Sequence, residues 1–231
     1  MAGLATHLIV AREVVQLLPE DTIHNIGQFY SGSIAPDAIH AREGFVRADK
    51  KHTHLRDNIP DDVFHEKENT RLFHKRITNL ILKYRGEKEY IDFFRGYLVH
   101  LLTDELFVLS IRREFTEKMK QLGIASGDKE YYAYIVTDMN RNDFLLVENY
   151  EGIKEIRHHL ENVEDIAIGK LLSKDEIHAS RDWVINRYFS KPNQVEQPVY
   201  ISYSRMLEFV HMAAEDIVFR LSGRGNLPKL L

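Results

Sequence analysis

The spacing of apolar residues is helical along most of the chain. Residues 5–18, ATHLIVAREVVQLL, place apolar side chains every three to four positions and are followed by Pro19, which ends a helix. A short helix is expected over 20–31, with Asp21 or Thr22 as its N-cap. The same periodicity predicts further helices over 63–84, 87–110, 112–122, 129–147, 152–161, 174–188 and 203–221.

Residues 32–62 depart from this pattern. They are rich in charged and turn-forming residues, as in SGSIAPDAIH and KKHTHLRDNIPDD, and we predict irregular structure there. Long irregular segments inside compact domains are often functional, and this one holds three of the twelve histidines. Strand-like alternation is confined to the short YYAYIV segment, and no internal repeat or linker is evident. We therefore predict one all-α domain over 1–231, with a helical C-terminal subregion from about residue 125.

Composition and charge narrow the possible functions. The formal net charge is −4 with acids and bases interspersed, so no stable nucleic-acid partner is expected. Because the chain has no cysteine, any metal must be held by His, Asp or Glu. The N-terminus lacks the basic region of a signal peptide, and no apolar run is long enough to span a membrane. We expect a cytoplasmic protein, and the oligomeric state stays open.

The stretch GYLVHLLTD, residues 96–104, carries polar side chains on a helix that is otherwise apolar. His100 and Asp104 are four residues apart, so both lie on one helix face. A buried carboxylate needs a charged or hydrogen-bonding partner, and a metal ion supplies one. The alternative is a core histidine with a locally paired aspartate. Further candidates for the same ion are His7 in THLIV, Asp37 after Pro36, and His52 and His54 in KHTHL.

Together these segments resemble the zinc-dependent phospholipase C family. THLIVAREVVQLLP is similar to its opening helix with a ligand histidine, and GSIAPDA with KKHTHLRD is similar to its loop aspartate and loop histidine. GYLVHLLTD resembles its strongest signature. The resemblance covers about the first half of the chain and implies an all-α phospholipase C/nuclease-like fold. It implies metal ligands at His7, Asp37, His54, His100 and Asp104, with His52 as the alternative to His54.

The chain also departs from this family. Secreted members bind three zinc ions and use the mature N-terminal amino group as a ligand, whereas few residues precede His7 here. No histidine occurs over 105–157, where the family has its next ligand. His211 and Glu215 in FVHMAAEDIV are similar to a family H-x-x-x-E pair but lie later in the chain, so they are additional candidates beside a purely local pairing. We expect one metal centre to be intact and the others to be lost or remodelled.

Two carboxylates and two neutral imidazoles would neutralise a divalent ion and supply the nitrogen and oxygen ligands that zinc accepts, as do iron, manganese and nickel. The resemblance further implies a second ion at His7, bridged through Asp104. Asp37 is expected to orient or deprotonate a metal-activated water. Lys51 and Arg56 flank His54 and are the candidate phosphate-binding cations.

The leading functional prediction is a metal-dependent hydrolase of phosphoester bonds, a phospholipase C-like phosphoesterase with one or two zinc ions. Its substrate would be a small phosphoester or a phospholipid headgroup. One alternative is a nuclease-like phosphodiesterase of the same structural group, although a basic groove lined by aromatic side chains is not evident. The other is a non-catalytic helical protein that keeps a structural metal.

Overall fold

The structure is a computed structural model that describes residues 2–190 and 195–231, and within these ranges it is built from helices and contains no β-strand. One 3₁₀ helix spans Ala35–Ala41, and π-helical turns span Ile185–Phe189 and Arg220–Arg224. The α-helices are Leu4–Leu17 (α1), Ile26–Ile34 (α2), Arg47–Thr53 (α3), Lys67–Tyr84 (α4), Ile91–Leu109 (α5), Ile111–Gln121 (α6), Lys129–Asn149 (α7), Ile153–Glu161 (α8), Lys174–Val184 (α9) and Tyr203–Phe219 (α10).

The all-α prediction is confirmed, and most helices lie where apolar periodicity placed them. The second helix is an exception, because α2 begins at Ile26 rather than near residue 20. Asp92 of α5 accepts hydrogen bonds from the backbone N–H groups of His24 and Asn25, at 2.9 and 2.7 Å, which holds these residues outside the helix. The predicted caps are therefore wrong: Asp21 has a left-handed φ of 64°, and the side chain of Asn25 caps α2.

The predicted irregular segment 32–62 is only partly irregular. Pro36 stands in the first turn of the 3₁₀ helix, where its missing N–H costs nothing, and the charged sequence RADKKHT forms α3. The side chain of Asp49 accepts the backbone N–H of Val46 at the start of α3. Apolar periodicity missed these two helices because they are short and mostly polar.

Helices α2 and α5 pack with their backbones nearly in contact. A Cβ atom on Gly32 would lie 2.0 Å from the carbonyl oxygen of Phe93, and one on Gly96 would lie 1.9 Å from that of Phe29. Only glycine permits this approach at either position. The close packing brings the carbonyl oxygen of Ser33, at the end of α2, within 2.8 Å of the His100 ring on α5.

The apolar core surrounds this pair of helices, and α1 packs against α2, α5 and α10. The N-terminus of α1 is fixed by Asp143 of α7, which accepts the backbone N–H groups of Ala5 and Thr6 as well as the Thr6 hydroxyl. The first turns of α1, and with them His7, are therefore held in place by a buried carboxylate. Among the described helices, none combines the length and apolar character needed to cross a membrane.

Candidate metal centre

Five predicted ligands converge at one buried point. His7 comes from α1, Asp37 from the 3₁₀ helix, His54 from the C-cap of α3, and His100 and Asp104 from α5. All except Asp37 are at most 1% exposed. The carboxylate of Asp37 is about one-tenth exposed and lies at the outer edge of the cluster. Asp37 thus sits in a short helix rather than in the irregular segment that the sequence predicts.

Backbone carbonyl groups fix the protonation of two of these histidines. Nδ1 of His100 lies 2.8 Å from the carbonyl oxygen of Ser33, and Nδ1 of His54 lies 2.8 Å from that of Lys50. A carbonyl oxygen can only accept, so each Nδ1 must carry the proton. In the neutral rings, Nε2 then presents a lone pair. Metal-bound histidines are oriented by the same kind of hydrogen bond on the nitrogen opposite the ligand atom.

The two lone pairs point at each other. Nε2 of His54 and Nε2 of His100 are 3.2 Å apart, so two acceptors face each other inside the protein. This arrangement is unfavourable unless a cation lies between them. Burial lowers the pKa of His54 to about 4 and that of His100 well below its ordinary value, although the neighbouring carboxylates oppose this. Both rings are therefore neutral at physiological pH, as metal ligands must be.

The carboxylates complete a set of four ligand atoms. Nε2 of His54 lies 3.5 Å from Oδ1 of Asp37 and 3.7 Å from Oδ2 of Asp104, and Nε2 of His100 lies 3.8 Å from the same Oδ2. Ligand atoms about 2.0–2.1 Å from a tetrahedral zinc are roughly 3.3 Å apart. Neither Oδ1 of Asp37 nor Oδ2 of Asp104 makes a well-aligned hydrogen bond. Asp37, His54 and His100 thus form one group with the spacing of ligands to a single metal ion, and Oδ2 of Asp104 lies beside both rings.

His7 belongs to a second, overlapping group with His100 and Asp104. Its Nε2 lies 3.3 Å from Oδ1 of Asp104, and its ring stacks on that of His100 at 3.7 Å. His100 offers one free lone pair, so it can serve only one of the two groups at a time. The backbone nitrogen of Ala2 also lies 2.9 Å from Oδ1 of Asp104, so the few residues before His7 do reach the cluster.

Opposite charges keep both carboxylates ionised. Burial alone would raise the pKa of Asp37, but the ammonium group of Lys50, 2.6 Å from Oδ1, outweighs it and lowers that pKa. Burial likewise opposes ionisation of Asp104, and contact with His7 holds its pKa well below the usual range. Lys50 was not singled out in the sequence, because a lysine in KKHTH carries no sign that its side chain turns inward.

The remaining candidates lie apart from the cluster. His52 has an exposed ring that contacts Asp57 at 3.0 Å, so the structure brings His54 rather than His52 to the site. His211 is also exposed and contacts Glu13 at 3.0 Å, and neither it nor Glu215 joins a group with metal-binding geometry among the described residues. His40 lies near Asp37, with its Nδ1 3.0 Å from the backbone oxygen of Asp37.

A cleft of about 430 Å³ opens beside the cluster, and His54 and Ala2 form part of its wall. Lys51 and Arg56, the predicted phosphate-binding cations, both line it. Its apolar wall includes Tyr132 and Val136 of α7, each about half exposed. The other residues that line the cleft are His40, Phe45, Arg47, Lys50, Asp61, Arg112, Ile135 and Met139.

Arg56 is the most unusual residue in this wall. It is 3% exposed, its guanidinium stacks 3.7 Å above the ring of Phe64, and its Nη2 has no hydrogen-bond partner. Burial lowers its pKa. A buried arginine without a paired carboxylate is rare, because the charge is costly to bury alone. Lys51, by contrast, donates to the carbonyl oxygen of Ile59 at 3.1 Å.

Comparison with known proteins gives one family. Residues 6–107 match the family model described as zinc dependent phospholipase C. No curated protein and no solved structure matches the chain. The matched segment contains all five buried ligands, and the zinc-dependent phospholipase C resemblance of the first half of the chain is thereby confirmed.

Proposed function

We propose that this protein is a metal-dependent phosphoester hydrolase whose metal is held by Asp37, His54, His100 and Asp104. The observation that carries the proposal is the pair of facing Nε2 lone pairs of His54 and His100, 3.2 Å apart, with the two carboxylates around them. A divalent cation resolves this unfavourable contact and is neutralised by the two carboxylates. One ion fits this set. A second ion at His7 would use the other oxygen of Asp104.

Zinc in such a site lowers the pKa of a bound water and polarises a phosphoryl oxygen. Within the chain, Asp37 has the position to orient that water, because its carboxylate is the most exposed of the five candidate ligands. Its lowered pKa makes it a weak base, so its role is to accept a hydrogen bond and hold the water in line. Iron, manganese or nickel would satisfy the same ligands.

Arg56 is assigned to the substrate phosphate. Its guanidinium lines the cleft, lacks a hydrogen-bond partner at Nη2 and is held in one orientation by Phe64. Such a preorganised cation stabilises negative charge that develops on a phosphoryl group without having to move. Lys51 lines the same cleft and adds a second positive charge.

The walls of the cleft favour an amphiphilic substrate. The cations Lys51, Arg56 and Arg112 line the cleft, and α7 contributes an apolar wall of Tyr132, Ile135, Val136 and Met139. Phe45 lines the cleft as well. A phosphoester with an apolar chain would place its phosphate near Arg56 and its chain along α7, in keeping with the lipid substrates of phospholipases C. A small soluble phosphoester presents the same phosphate, and the assay below distinguishes the two substrate classes by including both.

The test is turnover by metal-stripped and zinc-reconstituted protein on a panel of phosphomonoesters, phosphodiesters and short-chain phospholipids. We expect activity that depends on zinc and falls at least about a hundredfold in Asp37→Asn. Asp175→Asn, an exposed aspartate in the first turn of α9, is the matched control and should retain full activity. Absence of turnover on every substrate, with zinc bound in stoichiometric amount, would refute the hydrolase proposal.

A structural metal is the second candidate, because four protein ligands can close a tetrahedral shell. It predicts that zinc raises the melting temperature but supports no turnover. The cleft that opens beside His54 favours catalysis over this alternative, since a structural site has no need of solvent access.

A further inference from the structure

The cleft beside the metal ligands continues into a second, outer cavity. The outer cavity measures about 680 Å³ and is bounded by α6, by the start of α7 and by residues 60–65. Lys51, Asp61, Arg112 and Tyr132 line both cavities. A molecule bound at the metal therefore has room to extend past these four residues, and its second part would lie between Lys51 and Arg112.

The guanidinium of Arg112 has no hydrogen bond or ion pair with any described residue, although the residue is partly buried. It lines the same cleft as Arg56. Two arginines in one cleft, neither of them paired with a carboxylate, are an unusual arrangement in a protein that has more acids than bases.

Most of the nearby carboxylates form ion pairs with other cations. Asp61 pairs with Arg47, although it also attracts Lys51 and Arg56. Glu105 is buried and contacts both Arg220 and His74, at 2.8 and 2.6 Å. Of the two further acids that line the outer cavity, Glu117 pairs with Lys120, and Asp62 is exposed to solvent.

Three cations line the cleft without forming an ion pair with a described residue: Lys51, Arg56 and Arg112. A scissile phosphodiester carries one negative charge, and its place is at the metal beside Arg56. It leaves the charges of Lys51 and Arg112 unmatched at the passage to the outer cavity. A second anionic group there would form charge-assisted hydrogen bonds with both side chains.

We propose that Lys51 and Arg112 form a subsite for a second phosphate, so that the substrate is a phosphoester whose alcohol portion is itself phosphorylated. This inference rests on the proposed function, because it takes the scissile phosphate to lie at the metal. A phosphorylated lipid headgroup and the corresponding free, deacylated phosphodiester present the same chemistry to the subsite. A headgroup that ends in a quaternary ammonium group would instead be repelled by the two cations.

The first test compares zinc-loaded protein on matched substrates: short-chain phosphatidylinositol 4-phosphate, phosphatidylinositol and phosphatidylcholine, together with the deacylated form of each. We expect kcat/KM for the phosphorylated headgroup to exceed that for phosphatidylinositol by about tenfold or more. Arg112→Ala should remove most of this preference. Arg85→Ala deletes an exposed cation at the end of α4, outside both cavities, and should retain it.

The second test separates failure of the subsite from failure of the hydrolase proposal. Calorimetry with non-cleavable phosphonate analogues of the same headgroups measures binding without turnover. Tighter binding of the phosphorylated analogue, lost in Arg112→Ala, supports the subsite even if no substrate is cleaved. Equal binding and equal turnover of the two inositol headgroups would overturn it while leaving the hydrolase proposal intact. Preference for a single-stranded oligonucleotide over all these compounds would also overturn it, in favour of a nuclease.

Discussion

Asp104 and Asp143 are both 1% exposed, yet their surroundings are opposite. Asp143 accepts the backbone N–H groups of Ala5 and Thr6 and the hydroxyl groups of Thr6 and Tyr188, at 2.7–3.2 Å. Asp104 accepts one backbone N–H, that of Ala2, at Oδ1, whereas its Oδ2 faces the Nε2 atoms of His54 and His100 and makes no hydrogen bond. One carboxylate is fully satisfied by the protein, and the other is not.

This difference separates a structural residue from a ligand. Four donors offset the cost of burying Asp143, and its role is to fix the N-terminus of α1. At Asp104 the proposed metal ion would supply the missing partner of Oδ2. The same ion would separate the two facing Nε2 lone pairs of His54 and His100. The surroundings of Asp143 and Asp104 are connected through α1, because Asp143 holds the N-terminus of the helix that carries His7.

The largest expected effect of a substitution is at Asp143. Asp143→Ala removes four buried hydrogen bonds, so we expect a loss of about 4 kcal/mol in the free energy of unfolding. Denaturant unfolding measures this. The variant should still bind zinc through Asp37, His54, His100 and Asp104. Loss of zinc together with normal stability would reverse the roles that we assign to the two carboxylates.

The metal-free protein should lose stability as the pH falls from about 6.5 towards 4. The folded-state pKa of His54 is about 4 against an ordinary value of 6.5, so the unfolded chain binds more protons in this window. The loss from His54 is on the order of 3 kcal/mol. Denaturant unfolding across this pH range, with zinc removed, should show a shallower slope for His54→Gln than for wild type. Identical slopes would mean that His54 is not buried in the neutral form.

A smaller effect is expected at Arg56, which binds substrate rather than metal in this account. Arg56→Met keeps much of the apolar contact with Phe64 but removes the charge. We expect kcat/KM for a phosphodiester to fall about tenfold, equivalent to about 1.4 kcal/mol, with unchanged zinc content. Steady-state kinetics and metal analysis measure the two quantities. Arg85→Met is the control, and an equal loss of activity in both variants would argue against a specific contact.

Much of the fold could be predicted from sequence because apolar periodicity dominates the long helices. The exceptions arise where other forces determine the structure. Asp92 delays the start of α2 through bonds to His24 and Asn25, and this contact joins residues more than 60 positions apart. Helix α3 is short and polar, so its apolar pattern is too weak to detect.

The convergence of the five candidate ligands could be predicted because the order of several weak motifs is informative. The choice between His52 and His54 depends on the end of α3, where His54 at the C-cap turns inward and His52 faces solvent. The carbonyl oxygens of Ser33 and Lys50, which set the tautomers, leave no trace in the sequence. Arg112 lies in a helix with ordinary amphipathic character, and only its missing partners in the folded chain draw attention to it.

The central claim is that the buried His–Asp cluster binds a metal. The most direct test is plasma mass spectrometry of metal content on untagged protein purified without chelator, with wild type compared with His100→Ala and His211→Ala. We predict near-stoichiometric zinc or another transition metal in wild type and in His211→Ala, whose exposed ring lies apart from the cluster, and its loss in His100→Ala. Absence of metal from wild type even after reconstitution, or equal retention in His100→Ala, would contradict the account.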